Sequence, residues 1–217
     1  MRDLAIAVAS ESQRAEVQEP SRRFQPREHL VVEENASTGP RLKYFSTAAD
    51  VAYWTELWRR CGKVSYLREQ RGHMAHQLRA TFRRWVAPGA RTLEAGCGLG
   101  HFTVAADALG YRAEGLDWSA VTIEVLRRRF PSIRWHVGDA RQLDFADRSF
   151  DAVYSPGVCE HFEEGPTGIL LETRRVLRTG GVAVVSMPCF NVWLQRRAAS
   201  LTTNTLPAGA SFYQYAF

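Results

Sequence analysis

Glycines at 96, 98 and 100 punctuate the stretch Glu94-Ala-Gly-Cys-Gly-Leu-Gly100, which joins a run of strand character to one of helical character. Glycine at such a joint lets the backbone turn tightly and approach a ligand with no Cβ in the way. The N-terminus of the helix that follows offers unpaired N–H groups to an anionic group. Asp117 ends the next strand-like run, 23 residues after Glu94, where a carboxylate can accept from ribose hydroxyls. The spacing is GxGxG, not the GxGxxG that cradles a dinucleotide pyrophosphate. Asp139 ends the third run, and Glu160-His161 follows the fourth. This is the side of the sheet on which such folds bind ligands.

Other reactive side chains form weaker patterns. His73-x-x-His76 places two imidazoles on neighbouring helical positions with no third ligand to complete a metal site, and reads as surface histidines. The four cysteines, Cys61, Cys97, Cys159 and Cys189, contain no CxxC pair, which excludes a zinc ribbon or a redox motif. Cys97, inside the glycine loop, reads as a small filler.

These residues need a frame. From Arg91 onward short apolar runs alternate with helical ones: strands at Thr92–Ala95, Ala113–Leu116, Ile133–Val137, Ala152–Ser155 and Val182–Met187, with helices at His101–Leu109, Ala120–Phe130 and Thr167–Leu177. The alternation implies right-handed βαβ units and a doubly wound, mostly parallel α/β sheet with helices on both faces. Upstream, Val51, Trp54, Leu57 and Trp58 mark a helix within Ala48–Arg60, and Leu67, Met74, Leu78, Phe82 and Trp85 mark a second over Tyr66–Val86, stopped by Pro88-Gly89. Together they form an N-terminal helical cap, residues 41–89. Tyr44, Phe45, Tyr53, Trp54, Trp58 and Tyr66 concentrate aromatics there, as packing core or as a lid. Residues 1–40 show no sustained period and read as a mobile arm. The net charge is +5 over 217 residues. Counting by segment gives −2 for 1–40 (5 basic, 7 acidic), +8 for 41–91 (11 and 3) and −1 for 92–217 (12 and 13). A basic segment suits RNA, anionic lipid head groups or phosphorylated substrates, or is simply a solvated helix face. No apolar stretch approaches the about 20 residues of a membrane span, and the run Leu4–Ala9 is too short for a signal peptide. The cytoplasm is the expected location.

Residues 91–188 resemble class I S-adenosylmethionine-dependent methyltransferases, in their small-molecule branch. The matching pieces are Glu94–Gly100, Gly115-Leu-Asp-Trp-Ser119, Gly138-Asp-Ala140, Ser149-Phe-Asp-Ala-Val-Tyr-Ser155 and Arg175-Val-Leu-Arg-Thr-Gly-Gly181. The resemblance implies a Rossmann-like fold over residues 90–217 and S-adenosylmethionine as cofactor. Gly96, Gly98 and Gly100 then face its methionine part and Glu94 supports its ammonium side. Asp117 takes the ribose hydroxyls and Trp118 flanks the adenine. Asp139 accepts from the adenine amino group, the Ala140 N–H meets a ring nitrogen, and Ser155 lies near the methionine end. Methyl transfer is a displacement that needs chiefly positioning; His161 is the candidate base for an oxygen or nitrogen acceptor.

The resemblance implies a small-molecule or lipid-like acceptor; the +8 segment alone suggests RNA as the alternative, and a non-catalytic cofactor-binding protein is the rival. Ser155-Pro-Gly-Val158 replaces the Asn-Pro-Pro-aromatic motif of adenine amino methyltransferases, which counts against DNA adenine. Cys189 has no flanking group to activate it as the nucleophile of a cytosine methyltransferase. Family members carry two further strands after the fifth. Here Pro188–Phe217 shows one helix, Asn191–Ser200, and an uncharged aromatic ending. A domain stopped short at its C-terminus is therefore expected, with a bare edge on the fifth strand and a tendency to self-associate there.

Overall fold

The computed structural model describes residues 6–8, 29–33, 41–61, 64–201, 206 and 208–217. In chain order the elements are β1 (Ile6–Val8), β2 (His29–Glu33), β3 (Arg41–Ser46), α1 (Val51–Arg60), α2 (His76–Trp85), β4 (Arg91–Ala95), α3 (His101–Ala108), β5 (Arg112–Asp117), α4 (Ala120–Arg129), β6 (Arg134–Val137), β7 (Phe150–Pro156), α5 (Thr167–Val176), β8 (Leu177–Ser186), α6 (Val192–Leu201) and β9 (Ser211–Ala216).

Six strands form one sheet in the order β1-β8-β7-β4-β5-β6, and every pairing in it is parallel. The chain runs outward from β4 through β5 to β6, then returns to the other side of β4 for β7 and β8. The reversal lies between β4 and β7, and ligands of such sheets bind beyond the strand ends at that point. Side chains alternate across the strands. Leu93, Ala95, Val153, Ala183 and Val185 pack with Ile169 and Val176 of α5 on one face. Ala113, Ala152, Val182 and Val184 pack with Phe82 of α2 and Phe102 and Ala106 of α3 on the other, where Ile123 and Leu126 of α4 join Val104 and Trp135. Burial on both faces explains why the central runs read as continuous apolar segments.

Several expectations need correction. The helix expected over Tyr66–Val86 is two pieces, a 3-10 turn at Glu69–Arg71 and α2. Gly72 breaks it with a left-handed φ of 72°, closing the turn by an N–H to the Glu69 carbonyl. The segment expected as a mobile arm contains β1 and β2, and the segment expected as a purely helical cap opens with β3. The edge of the fifth core strand, β8, is not bare: Ile6, Ala7 and Val8 pair with Ala183, Val184 and Val185. The C-terminal residues form a strand after all, but not on β8. β9 joins β3 and β2 in a separate antiparallel sheet of order β2-β3-β9. Burial of Tyr215 and Ala216 there explains an aromatic, uncharged ending. Leu42, Phe190 and Ala216 form its small core.

Two caps place α1 over the main sheet. The Tyr53 N–H donates to Asp50 Oδ1 at 2.8 Å, starting the helix. Thr55 Oγ1 then donates to Ser119 Oγ at 2.8 Å, tying α1 to the residue that caps α4.

Candidate functional site

A cleft, partly open to solvent, lies at the reversal point, where ligands of such sheets bind. Its lining combines Gly96 of the glycine loop, Leu116, Asp117 and Trp118 at the end of β5, Gly138, Asp139 and Ala140 after β6, and Gly157, Val158, His161 and Phe162 after β7. Trp54 and Trp58 of α1 close it.

The loop glycines are dictated by contact as well as by dihedral angle. Gly96 has φ 84° and Gly98 φ 47°. A Cβ on Gly96 would fall 2.3 Å from Val158 Cγ2, and one on Gly98 would fall 2.8 Å from Trp58 Cζ2. Gly100 begins α3, and the Trp135 indole occupies the space its side chain would need. The loop spends most of its donors internally. Gly96 N–H and Cys97 N–H both donate to the Leu116 carbonyl, Gly98 N–H donates to Asp117 Oδ2 and Gly100 N–H donates to the Cys97 carbonyl. The N–H groups of the loop itself are therefore largely committed, and the open donors lie in the first turn of α3.

Asp117 is buried and holds its carboxylate between Gly98 N–H and Ser119 N–H, each at 2.9 Å. Burial raises its pKa, and these two hydrogen bonds oppose the shift. A carboxylate has about four lone-pair sites, so two remain for hydroxyl donors. Asp139 is committed differently. Arg141 grips both its oxygens, through Nε at 3.1 Å to each and Nη2 at 2.6 Å, and Arg141 N–H donates to Oδ1 at 2.8 Å. Arg141 also reaches Glu164 at 2.6 Å and lies 4.4 Å from the Phe162 ring centre. The pair of loops after β6 and β7 is thereby latched together.

Glu94, Gly98, Gly100 and Ser155 do not line the cleft; Gly96, Asp117, Trp118, Asp139, Ala140 and His161 do. Period-two alternation turns Glu94 toward α3, where Oε2 accepts from Thr103 N–H at 2.9 Å and Thr103 Oγ1 at 2.5 Å. Desolvation pushes its pKa to about 8, against those hydrogen bonds and with the Asp117 charge adding to the rise. Ser155 is buried and donates from Oγ to the Ala95 carbonyl at 2.9 Å, joining β7 to β4.

His161 sits on the 3-10 turn Cys159–His161, half-buried, with Nδ1 2.9 Å from the Tyr213 carbonyl oxygen. Its ring meets Trp54 edge to face at 4.8 Å and Tyr213 at 5.3 Å. Burial pushes its pKa down to about 4, the Tyr213 carbonyl opposing. Trp54 in turn stacks on Trp58 at 5.4 Å. Tyr213 escaped the sequence reading because it lies 52 residues beyond its partner. The lone signal was the aromatic alternation Phe212, Tyr213, Tyr215 and Phe217.

Comparison with known proteins decides the family of this core. Residues 93–185 match the family described as a methyltransferase domain. That segment is a class I S-adenosylmethionine-dependent methyltransferase domain. The chain is 36% identical over 100 residues to a probable S-adenosylmethionine-dependent methyltransferase of Mycolicibacterium smegmatis, covering 46% of this chain and 38% of that protein. It is 37% identical over 99 residues to the demethylmenaquinone methyltransferase of Renibacterium salmoninarum, covering 46% and 41%. It is 33% identical over 99 residues to the malonyl-[acyl-carrier protein] O-methyltransferase of Serratia marcescens, covering 46% and 38%. The chain thus spans about two fifths of the length of these curated relatives. The crystal structure of a putative methyltransferase from Methanococcus maripaludis shares the fold, with a TM-score of 0.51 at 16% identity over 70% of this chain and 69% of that one. Among the described residues, no helix is long and apolar enough to cross a membrane.

The methyltransferase-domain cleft suits the cofactor of its family in its donors and acceptors. Asp117 presents unused lone pairs at the cleft wall, Trp118, packed edge to face with Phe162 at 5.9 Å, supplies flat apolar surface, and Trp58 Nε1 is a buried donor with no partner.

Proposed function

We propose that this chain, acting in the cytoplasm, transfers a methyl group from S-adenosylmethionine to an uncharged small-molecule or lipid-like acceptor. The observation that carries the reading is the cleft lining, which contains four large aromatic side chains, Trp54, Trp58, Trp118 and Phe162, and no lysine or arginine. A phosphorylated or nucleic-acid acceptor calls for cations beside the reacting atom. None of the described basic residues of the basic segment lines the cleft, and Arg41 and Lys43 are paired with Glu33, Arg59 and Arg60 with Glu56, and Arg91 with Glu114.

When bound, the cofactor supplies an electrophilic methyl group, so the protein's task is positioning. Asp117 accepts from the ribose hydroxyls, Trp118 flanks the base with Phe162 packed edge-on behind it, and Ala140 N–H and Asp139 meet its edge, Asp139 sharing its carboxylate with Arg141. Trp54 and Trp58 exclude water from the reacting end. His161 presents Nε2 to the acceptor's O–H or N–H. A pKa near 4 makes that nitrogen a weak base, so it orients the acceptor and receives the proton only from an acidic hydroxyl or as transfer proceeds.

The test is transfer of label from methyl-tritiated S-adenosylmethionine in an extract of the source cell. Label is expected in solvent-extractable small molecules. Label that precipitates with RNA overturns the reading in favour of an RNA methyltransferase, and no label beyond background favours a non-catalytic binding protein.

A further inference from the structure

Trp58 carries a donor that the protein itself does not use. Its Nε1–H is buried and has no hydrogen-bond partner, although an indole N–H in such a place normally finds one. The edge of the ring that holds this nitrogen lies against the glycine loop: a Cβ on Gly98 would sit 2.8 Å from Cζ2 and 3.1 Å from Cε2, the atom bonded to Nε1. Trp58 also lines the cleft, stacked on Trp54 at 5.4 Å.

The loop it faces is short of donors. Gly96, Cys97, Gly98 and Gly100 all give their N–H groups to protein oxygens. No lysine or arginine lines the cleft, while the Asp117 carboxyl group stands beside the loop. An anionic group brought to this end therefore meets the Asp117 carboxylate, a loop whose own N–H groups are largely taken, the first turn of α3 and one unpartnered indole N–H. Burying an unmatched donor is costly, and a ligand oxygen that pairs with it recovers that cost.

We propose that the Trp58 indole N–H is the donor to the carboxylate of the cofactor's methionine end, reached as the indole lifts from Gly98 to admit it. This rests on the reading that the cleft takes S-adenosylmethionine. It assigns α1 a part in cofactor binding besides covering the acceptor, and it makes Trp58 a binding residue that nothing in the glycine-loop motif specifies. Gly98 is then glycine for two reasons, its positive φ and the indole resting on it.

The experiment is titration calorimetry of the full chain and of Trp58→Phe, which keeps an aromatic ring and removes the N–H. Two ligands are compared: S-adenosylhomocysteine, and its decarboxylated analogue, which differs only in the carboxylate. A hydrogen bond to a charged group corresponds to a loss of about tenfold or more in affinity. W58F is expected to weaken S-adenosylhomocysteine by that factor and to leave the decarboxylated analogue within about twofold. In the unsubstituted protein alone, the analogue is expected to bind at least about tenfold more weakly. Equal losses for both ligands overturn the proposal, since the ring alone then matters. No loss for either overturns it as well. Failure of the unsubstituted protein to bind either ligand overturns the cofactor reading itself, and this proposal with it.

Discussion

The Nδ1 of His161 lies 2.9 Å from the main-chain oxygen of Tyr213. A carbonyl oxygen only accepts, so Nδ1 carries the hydrogen and the neutral ring keeps an unprotonated Nε2. The C-terminal strand thus sets the tautomer of a side chain on the turn after β7. Nitrogen-15 spectra of the neutral ring are expected to report the Nδ1–H form; an Nε2–H ring refutes the assignment.

The same burial makes His161 a source of pH-dependent stability. Its pKa is about 4 when folded against 6.5 as an ordinary histidine. The unfolded chain therefore binds more protons between those values, and stability rises with pH across that window. Stability is full above about pH 6.5 and falls as pH drops toward 4, by about 1–3 kcal/mol. Urea unfolding of the unsubstituted protein and His161→Gln at pH 4.5 and 7 is expected to show a smaller difference in the variant.

Glu94 works in the opposite direction. Burial raises its pKa to about 8 from 4.5, so the folded protein holds the extra proton between those values. Its contribution is full below about pH 4.5 and is lost as pH rises through 8. Glu94→Gln keeps the shape and cannot titrate. Its stability is expected to match the unsubstituted protein near pH 5 and to exceed it near pH 9 by on the order of a few kcal/mol; an unchanged difference across that range contradicts the raised pKa.

Much of the core was legible because its signals are local. Every strand and helix between Arg91 and Ser186 was anticipated, mostly within a residue or two at each end. The exception is β8, which begins at Leu177 because a bulge takes up the residues around Gly180-Gly181 between Leu177 and Val182. What was not legible is non-local. β2, β3 and β9 come from both ends of the chain, and pairs such as Leu42 with Ala216 leave no trace in periodicity. The contact of Tyr213 with His161 is of the same kind. Asp139 was legible as a carboxylate at a strand end, but its capture by Arg141 depends on how two loops meet.

Gly96 and Gly98 should respond differently to alanine. Both have positive φ, which costs about 1–2 kcal/mol with a Cβ. Gly96→Ala also drives a Cβ to 2.3 Å from Val158 Cγ2, and a β-branched neighbour has little rotameric freedom to yield. Gly98→Ala meets the Trp58 indole at 2.8 Å, on a half-buried side chain that can swing away. Denaturant melts are expected to rank Gly96→Ala below Gly98→Ala. The second variant alone is expected to show Trp58 displaced, as a red-shifted tryptophan emission.

Arg141 joins Asp139, Glu164 and the face of Phe162. Exposed ion pairs contribute little to stability, so Arg141→Ala is expected to shift the melting temperature only slightly. Its effect falls on the side of the cleft proposed for the adenine, where Asp139 and Phe162 lose their common anchor. Affinity for S-adenosylhomocysteine is expected to fall several-fold and that for adenosine in parallel, with Arg141→Lys intermediate. A large stability loss with unchanged affinity contradicts this role.

Removal of residues 207–217 should separate the two halves of the site. The residues proposed to face the cofactor stand at the end of β5, on the glycine loop and on the turns after β6 and β7, around the large sheet. β9 belongs to the small sheet. It holds the turn after β7 through Tyr215 Oη, which donates to the Glu163 carbonyl at 2.8 Å, and through the Tyr213 carbonyl on His161. It also holds α1 through the Tyr53–Tyr213 ring contact at 5.8 Å. Without β9, Leu42 and Phe190 lose the packing of Ala216, and Tyr215, now fully buried, is gone. The small sheet then keeps only the β2–β3 hairpin, a marginal unit by itself. Cofactor affinity is expected to stay within about threefold. His161 is expected to lose its fixed tautomer and to titrate nearer 6.5, its ordinary value. Nitrogen-15 spectra and calorimetry on the same shortened protein read the two effects separately. A cofactor affinity lost together with the tautomer would mean that β9 supports the whole cleft, not the acceptor side alone.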